Sequence, residues 1–271
     1  MKKIKKIAIE LFGLSSEKVS RSGGAHEISI ESVIDRSSFA DSTKVDFANI
    51  AKHIDHTLLK ANTTKDEVRK IIKEANEFKF KSICINSSYI PFAKTLLAKD
   101  VLICTVVGFP LGACNLDAKH TETKVAISQG ANEIDMVINI GLLLSGEYDL
   151  VFEEIKTLAE ICHKSGAILK VILETALLDY KNKVIACLIS KKAGADFVKT
   201  STGFSTGGAT TQDITLMREV VGTKMGVKAS GGIQDRQTAI QMLKAGANRV
   251  GASSSIDIVC GVSSSSNSNG Y

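Results

Sequence analysis

Apolar and polar positions follow two different periods along this chain, and the switch between them recurs. Four segments share one phrase: QGANEIDMV around Gly130, KSGAILKVI around Gly166, KAGADFVKT around Gly194 and KAGANRVGA around Gly246. In each, a helix-period run ends on a glycine, which takes a left-handed conformation without a Cβ clash. Apolar residues at strand period follow. The glycines lie 36, 28 and 52 residues apart. A βα unit of a closed barrel takes about 30 residues, so the longest interval predicts one more strand, and MGVKASGG at 225–232 supplies it. Upstream, HIDHTLL (53–59), KSICIN (81–86) and LICTVVGFP (102–110) read as three further strands. TKDEVRKIIKEANEF (64–78) reads as a helix capped by Thr64.

Eight strands alternating with helices fit either a closed barrel or an open doubly wound sheet. Strand interiors decide between them. In EIDMVI, Glu133 and Asp135 share one face with Val137, while Ile134, Met136 and Ile138 share the other. The same alternation puts Lys170 with Glu174, Phe197 with Lys199, and Lys228 with Ser230. An open sheet covered on both faces should read as continuous apolar runs. Charges on one face of successive strands need a shared polar interior instead. The expected fold is therefore α/β, a single (β/α)8 TIM barrel over residues 48–260, with its site at the C-terminal mouth of the strands.

Outside the repeat, residues 1–47 read as an N-terminal extension that packs across the barrel floor. Its start, MKKIKKIAIELFGLSS, reads as a short amphipathic helix rather than a signal peptide, because Glu10 interrupts the apolar run and no small-residue cleavage site follows. Residues 261–271, rich in Ser, Asn and Gly, read as a flexible C-terminal tail.

The 271 residues, 44% hydrophobic, suffice for one such domain. The net charge of +5 is spread along the chain, and beyond MKKIKK no basic block is interleaved with aromatics. That argues against a nucleic-acid partner and for a small anionic ligand. Six cysteines without a CxxC pair read as reduced thiols of a cytoplasmic protein. No apolar run approaches the ~18 residues of a membrane span, so no membrane partner is expected. A homo-oligomer is compatible with the sequence.

The inward charges carry the candidate chemistry: Asp55, Asp135, Lys170, Glu174, Lys199 and Lys228. An ordinary lysine has a pKa near ~10.4, so only about one in a few thousand is a free amine at pH 7. Burial and a second cation nearby both lower that value. Adjacent strands place Lys228 beside Lys199, the arrangement that would prepare Lys199 to attack an aldehyde and form an imine. Asp135 could relay protons. The competing reading of the same residues is a structural charge network.

A phosphate site is the second element. TSTG, SGG and GASSS follow three consecutive strands and present small residues whose backbone N–H groups can turn toward an anion. Candidate ligand contacts are Thr202, Gly203, Gly231, Gly232, Gly251, Ser253 and Ser254, with Asp55, Cys84 and Lys170 lining the pocket. Cys84 also reads as a small core residue. His53 and His56, three apart on a strand, read as facing opposite ways, and His120 and His163 fall in helical segments. No metal or other cofactor is expected.

HIDHTLL, ICIN, TVVGFPLG, EIDMVINIG, LKVILET, DFVKTSTGF, GVKASGGI and RVGASS together resemble, in order, the strand motifs of the deoxyribose-phosphate aldolases. The resemblance covers about residues 51–256. It implies a class I aldolase that reversibly cleaves 2-deoxy-D-ribose 5-phosphate to acetaldehyde and D-glyceraldehyde 3-phosphate. It also implies that Lys199 forms the Schiff base, Lys228 perturbs its pKa and Asp135 transfers protons. Other readings remain: a Schiff-base barrel such as a transaldolase or a keto-sugar-acid aldolase, or a non-catalytic phosphosugar-binding barrel.

Two features depart from the family pattern. Some members carry a lysine after TSTG that meets the phosphate, where this chain has Phe204. The extension of residues 1–47 is also longer than the barrel requires. At the other end, the ten residues from Val262 to Tyr271 span up to ~35 Å when extended and typically ~17 Å as a flexible chain. That reach makes Tyr271 a candidate acid–base group at the mouth.

Overall fold

The computed structural model describes residues 2–12 and 45–261. Eight parallel strands close into a barrel in sequence order, β1 pairing with both β2 and β8. They are β1 (Ile54–Leu58), β2 (Ser82–Ile85), β3 (Leu102–Val107), β4 (Glu133–Val137), β5 (Ile168–Ile172), β6 (Phe197–Lys199), β7 (Gly226–Ser230) and β8 (Arg249–Ala252). All eight lie inside the expected segments.

The helices in chain order are α1 (Lys2–Phe12), α2 (Lys65–Phe78), α3 (Ile90–Lys94), α4 (Leu116–Gln129), α5 (Ile140–Leu144), α6 (Tyr148–Lys164), α7 (Tyr180–Lys192), α8 (Thr211–Val221), α9 (Arg236–Lys244) and α10 (Ser255–Cys260). Thr64 caps α2 as expected: its hydroxyl accepts from the Glu67 N–H, and the Glu67 carboxylate accepts from the Thr64 N–H. Such reciprocal caps satisfy amides that the first turn leaves open. The recurring glycines all have positive φ, from 72° at Gly166 to 121° at Gly130 and Gly246, so each phrase does turn a helix end into a strand there.

Outward strand residues such as Ile134, Met136, Val171 and Val198 are buried against the helices. Inward residues include Asp55, Asp135, Lys170 and Lys228, all completely buried. Both faces of each strand are therefore covered, and the sequence distinguishes them by charge.

Three expectations need correction. His53 is not on a strand; it closes a one-turn 3-10 helix, Ile50–His53, ahead of β1, so strand alternation does not apply to it. Glu174 does not continue β5, which ends at Ile172; its backbone takes φ +55 and leaves the strand. The described part of the extension, α1, lies against α7 rather than across the floor. Ile4, Ile7 and Ala8 are buried, Lys3 sits 5.4 Å from the Tyr180 ring centroid, and Glu10 pairs with Lys181 at 3.9 Å. The expected amphipathic helix exists, and its apolar stripe selects a helical flank. No helix among the described residues is long and apolar enough to cross a membrane.

Candidate active site

β4, β5, β6 and β7 bring three lysines to one carboxylate. Asp135 Oδ1 accepts from Lys170 Nζ at 2.7 Å, and its Oδ2 accepts from Lys199 at 2.9 Å and Lys228 at 2.8 Å. Register explains the convergence: Asp135 is level with Lys170, Ile172 with Lys199, and Lys199 with Lys228. Burial pushes the Asp135 carboxyl up, but Lys170, Lys199 and Lys228 outweigh it and hold the group well below the usual carboxylate range.

Two further carboxylates and an arginine join these lysines. Asp55 Oδ2 forms an ion pair with Lys228 Nζ at 2.5 Å, and Asp55 Oδ1 accepts from Arg249 Nε at 2.8 Å. Glu133 Oε2 forms an ion pair with Lys170 Nζ at 2.6 Å and accepts from Arg249 Nη2 at 2.5 Å. Burial opposes ionisation of Asp55, yet Arg249, Lys228 and Lys170 hold its carboxyl far below the ordinary value. For Lys228 and Lys170, burial disfavours the ammonium, but carboxylates led by Asp135 hold both above the lysine range. Among the described residues, four cations (Lys170, Lys199, Lys228, Arg249) thus face three carboxylates (Asp55, Glu133, Asp135) in this cluster.

The lysines differ in their partners. Lys170 lies within 4.0 Å of three carboxylates and Lys228 of two, while Lys199 has Asp135 alone. Releasing a proton from Lys199 breaks one ion pair and leaves the cluster neutral. Lys199 is 2% exposed, whereas Lys170 and Lys228 are completely buried.

Cys84 is buried with Leu59, Cys104 and Val106. It is level with Cys104 across β2 and β3. The Cys104 thiol donates to Asp135 Oδ1 at 3.2 Å, and a hydrogen bond from Cys104 lowers the Cys84 pKa. Cys84, Cys104 and Asp135 place one ligand atom each within 4.8 Å of one another, the spacing of a metal site. Three lysine nitrogens already converge on the same carboxylate, and their charge opposes another cation there. His56 is committed elsewhere, at 2.9 Å from Ser255 Oγ and 2.8 Å from Glu74 Oε2.

Above Lys199 the chain builds a cradle of small residues. Thr200 Oγ1 donates to the Ser230 carbonyl at 2.9 Å, Ser230 Oγ to the Ser201 carbonyl at 2.6 Å, and the Ala209 N–H to the Gly231 carbonyl at 3.0 Å. Gly203, Gly231 and Gly232 all have φ between +75° and +86°, a region that side chains rarely adopt. A Cβ on Gly208 would lie 2.3 Å from the Gly231 carbonyl oxygen, so the two loops can approach this closely only through glycine. Ser230 is level with Gly251, so Gly231–Gly232 and Ala252–Ser253 leave their strands side by side. Ser253 and Ser254 also line a cavity of about 300 Å³ with Lys60 and Lys70. Thr202 spends both its amide and its hydroxyl hydrogen on Glu174. Phe204 is 44% exposed and meets Phe109 edge-on, centroids 5.2 Å apart. Tyr271 lies outside the described residues.

A larger cavity, about 620 Å³, opens at the opposite end of the barrel, where Phe197, Gly226 and Arg249 begin their strands. It holds none of the lysines that meet Asp135. Sequence reasoning overlooked Arg249, Cys104 and the partners of Glu133. Strand alternation already put Glu133 on the face of Asp135, and Arg249 shares its face with Gly251 by the same rule.

Residues 49–268 match the family model described as DeoC/LacD family aldolase. A protein named deoxyribose-phosphate aldolase from Bacillus cereus (strain G9842) is 58% identical over 212 residues, 78% of this chain and 95% of that one. One of the same name from Bacillus anthracis gives the same identity and coverage. Among solved structures, a tetrameric deoxyribose phosphate aldolase from Aeropyrum pernix aligns with TM-score 0.72 and 34% identity, over 78% of this chain and 89% of that one. A protein titled QR15, an aldolase, aligns with TM-score 0.74 and 38% identity, over 77% and 93% of the two chains. With its barrel matched from end to end, the chain belongs to the DeoC/LacD aldolase family.

Proposed function

We propose that this protein is a class I aldolase that reversibly cleaves 2-deoxy-D-ribose 5-phosphate to acetaldehyde and D-glyceraldehyde 3-phosphate. In this reading Lys199 is the nucleophile. Its free amine adds to the aldehyde carbon of the open-chain sugar, and loss of water leaves an iminium. The bond between the second and third carbons then breaks. Its electron pair flows into the iminium to give an enamine, while the hydroxyl proton on the third carbon passes to a base and the three-carbon aldehyde phosphate leaves. Protonation of the enamine and addition of water release acetaldehyde and restore the amine.

Asp135 is the proposed proton carrier, and Lys228 the neighbouring cation that shares Oδ2 with Lys199. Lys170 and Asp55 hold these two in place. The turned amides of Gly203, Gly231 and Gly232, with Gly251, Ser253 and Ser254 beside them, are proposed to receive the phosphate. Without a lysine at position 204, the phosphate would rest on backbone donors and hydroxyls. The observation that carries the reading is that Lys199, alone of the three lysines, has a single carboxylate partner among the described residues.

Borohydride added with acetaldehyde should leave an N-ethyl group on the peptide containing Lys199, and Lys199→Ala should abolish cleavage. Labelling of another lysine would remove the assignment. The proposed organisation is an extension (1–47), a barrel (48–260) and a tail (261–271). Free cysteines fit a reducing, cytoplasmic setting. A homo-oligomer is proposed by analogy with the Aeropyrum relative, and light scattering on the full chain tests it.

A further inference from the structure

Glu174 is a buried carboxylate at the barrel mouth that the chemistry above leaves unused. Its φ of +55° is shared, among the described non-glycine residues, only by Lys79. Side chains disfavour that region, so the fold places a glutamate here at a backbone cost. Backbone bonds on either side pin it to the catalytic strand: Leu173 N–H donates to the Lys199 carbonyl at 2.9 Å and Thr175 N–H to the Thr200 carbonyl at 3.0 Å. Oε2 accepts from the Thr202 hydroxyl at 2.5 Å and from the Thr202 N–H at 3.2 Å. Thr202 Oγ1 in turn accepts from the Phe204 N–H at 3.0 Å. One carboxylate oxygen therefore sets the conformation of the Thr202–Gly203–Phe204 loop.

The other oxygen has no such work. Oε1 is buried and makes no hydrogen bond among the described residues. A buried carboxylate oxygen without a donor is costly, and a donor carried by a ligand removes that cost. A phosphate oxygen cannot be its complement, because both are acceptors and negative. A sugar hydroxyl can.

We propose that Glu174 determines specificity for the hydroxylated, phosphate-bearing half of the substrate. Oε1 accepts a hydrogen bond from a hydroxyl of that half, and Oε2 holds the loop beside its phosphate. The proposal rests on the aldolase reading and deepens it. The two-carbon half bound to Lys199 as an enamine carries no hydroxyl, so Glu174 acts only on the aldehyde that leaves.

Two aldehydes test this in the condensation direction: D-glyceraldehyde 3-phosphate, and 3-phosphonooxypropanal, which lacks only the hydroxyl. Exchange of acetaldehyde methyl protons with deuterated water runs alongside, since it needs only the Lys199 half. The wild type should favour the hydroxylated aldehyde in kcat/KM by on the order of ten-thousandfold, as sites built to bind a hydroxyl do. Glu174→Gln keeps a carbonyl oxygen for Thr202 but puts an N–H donor in place of Oε1. It should bring that preference close to unity, mainly through KM, with proton exchange at the wild-type rate. Glu174→Ala should also free the loop and raise KM for both aldehydes. An unchanged preference in Glu174→Gln, or loss of proton exchange with it, overturns the proposal. A wild type that exchanges no protons overturns the aldolase reading first, a failure visible without any Glu174 variant.

Discussion

Lys199 and Asp135 come from β6 and β4, strands that do not pair, and meet across the intervening β5 with Nζ 2.9 Å from Oδ2. Only a curved, closed sheet turns two such side chains toward one point. Lys170, from the strand between them, takes the other oxygen of the same carboxylate at 2.7 Å.

Asp135→Asn removes the one negative charge that all three lysines share. Cleavage should fall at least a hundredfold, within the range for loss of an acid–base group, and stability by about 3–5 kcal/mol, as when a buried pair loses one partner. Turnover together with urea unfolding checks both. Near-wild-type turnover would remove Asp135 from the proton path.

Lys228→Leu leaves Asp135 Oδ2 to Lys199 alone. The remaining pair tightens and favours the Lys199 ammonium, so a higher pH is needed to obtain the free amine. The acid limb of the kcat/KM profile should therefore move to higher pH. An unmoved limb with residual activity would show that Lys228 does not tune the nucleophile.

The cluster's contribution to stability should be flat through the middle of the pH range. Asp55 and Asp135 have depressed folded pKa values, so their contribution is present above the unfolded value, near ~3.9, and is lost as pH falls through the folded ones. Lys170 and Lys228 have raised values, so theirs is present below the unfolded lysine value, near ~10.4, and is lost as pH rises through the folded ones. In a Glu154→Gln background, which removes a carboxyl whose folded pKa is raised, urea midpoints should hold steady from about pH 5 to 9 and decline outside that window. Asp55→Asn should make the acid decline shallower. A midpoint that falls between those limits contradicts the assignment.

Lys119 and Glu154 form a buried pair outside the strands, 2.8 Å apart, with Lys119 also donating to the Val137 carbonyl at 2.8 Å. Burial raises the Glu154 pKa, and Lys119 offsets part of that rise. Lys119→Ala should cost about 3–5 kcal/mol by stranding the carboxyl. Turnover per folded molecule should fall far less than in Asp135→Asn, since the pair reaches β4 only through the Val137 carbonyl. A loss below about 1 kcal/mol, the scale of an exposed pair, would mean that water reaches it.

How much of this was legible in the sequence follows from what alternation records. It assigns each strand residue to a face, so Asp55, Asp135, Lys170, Lys199 and Lys228 stood out as inward charges. Faces do not name partners, however, and the sharing of Asp135 among three lysines depends on register around the ring. Glu174 was legible as an inward charge, but its loop geometry was not, because one residue at positive φ ends the alternation that seemed to include it. Lys119 and Glu154 escaped because each sits on a helix where a lone charge reads as solvated. α1 was legible as amphipathic, but its stripe does not say which neighbour it will cover.

The Asp55–Arg249 pair joins the first strand to the last, across 194 residues of chain. His56 and Ser255 bridge the same seam across 199. Closing so long a loop costs entropy that grows only slowly with length, but nothing repays it until the two ends meet. A growing chain that has already produced Lys199, Asp135 and Lys228 still lacks the guanidinium that Asp55 and Glu133 require. Activity should therefore appear only when synthesis has delivered β8, which makes the final strand a checkpoint on every catalytic residue made before it.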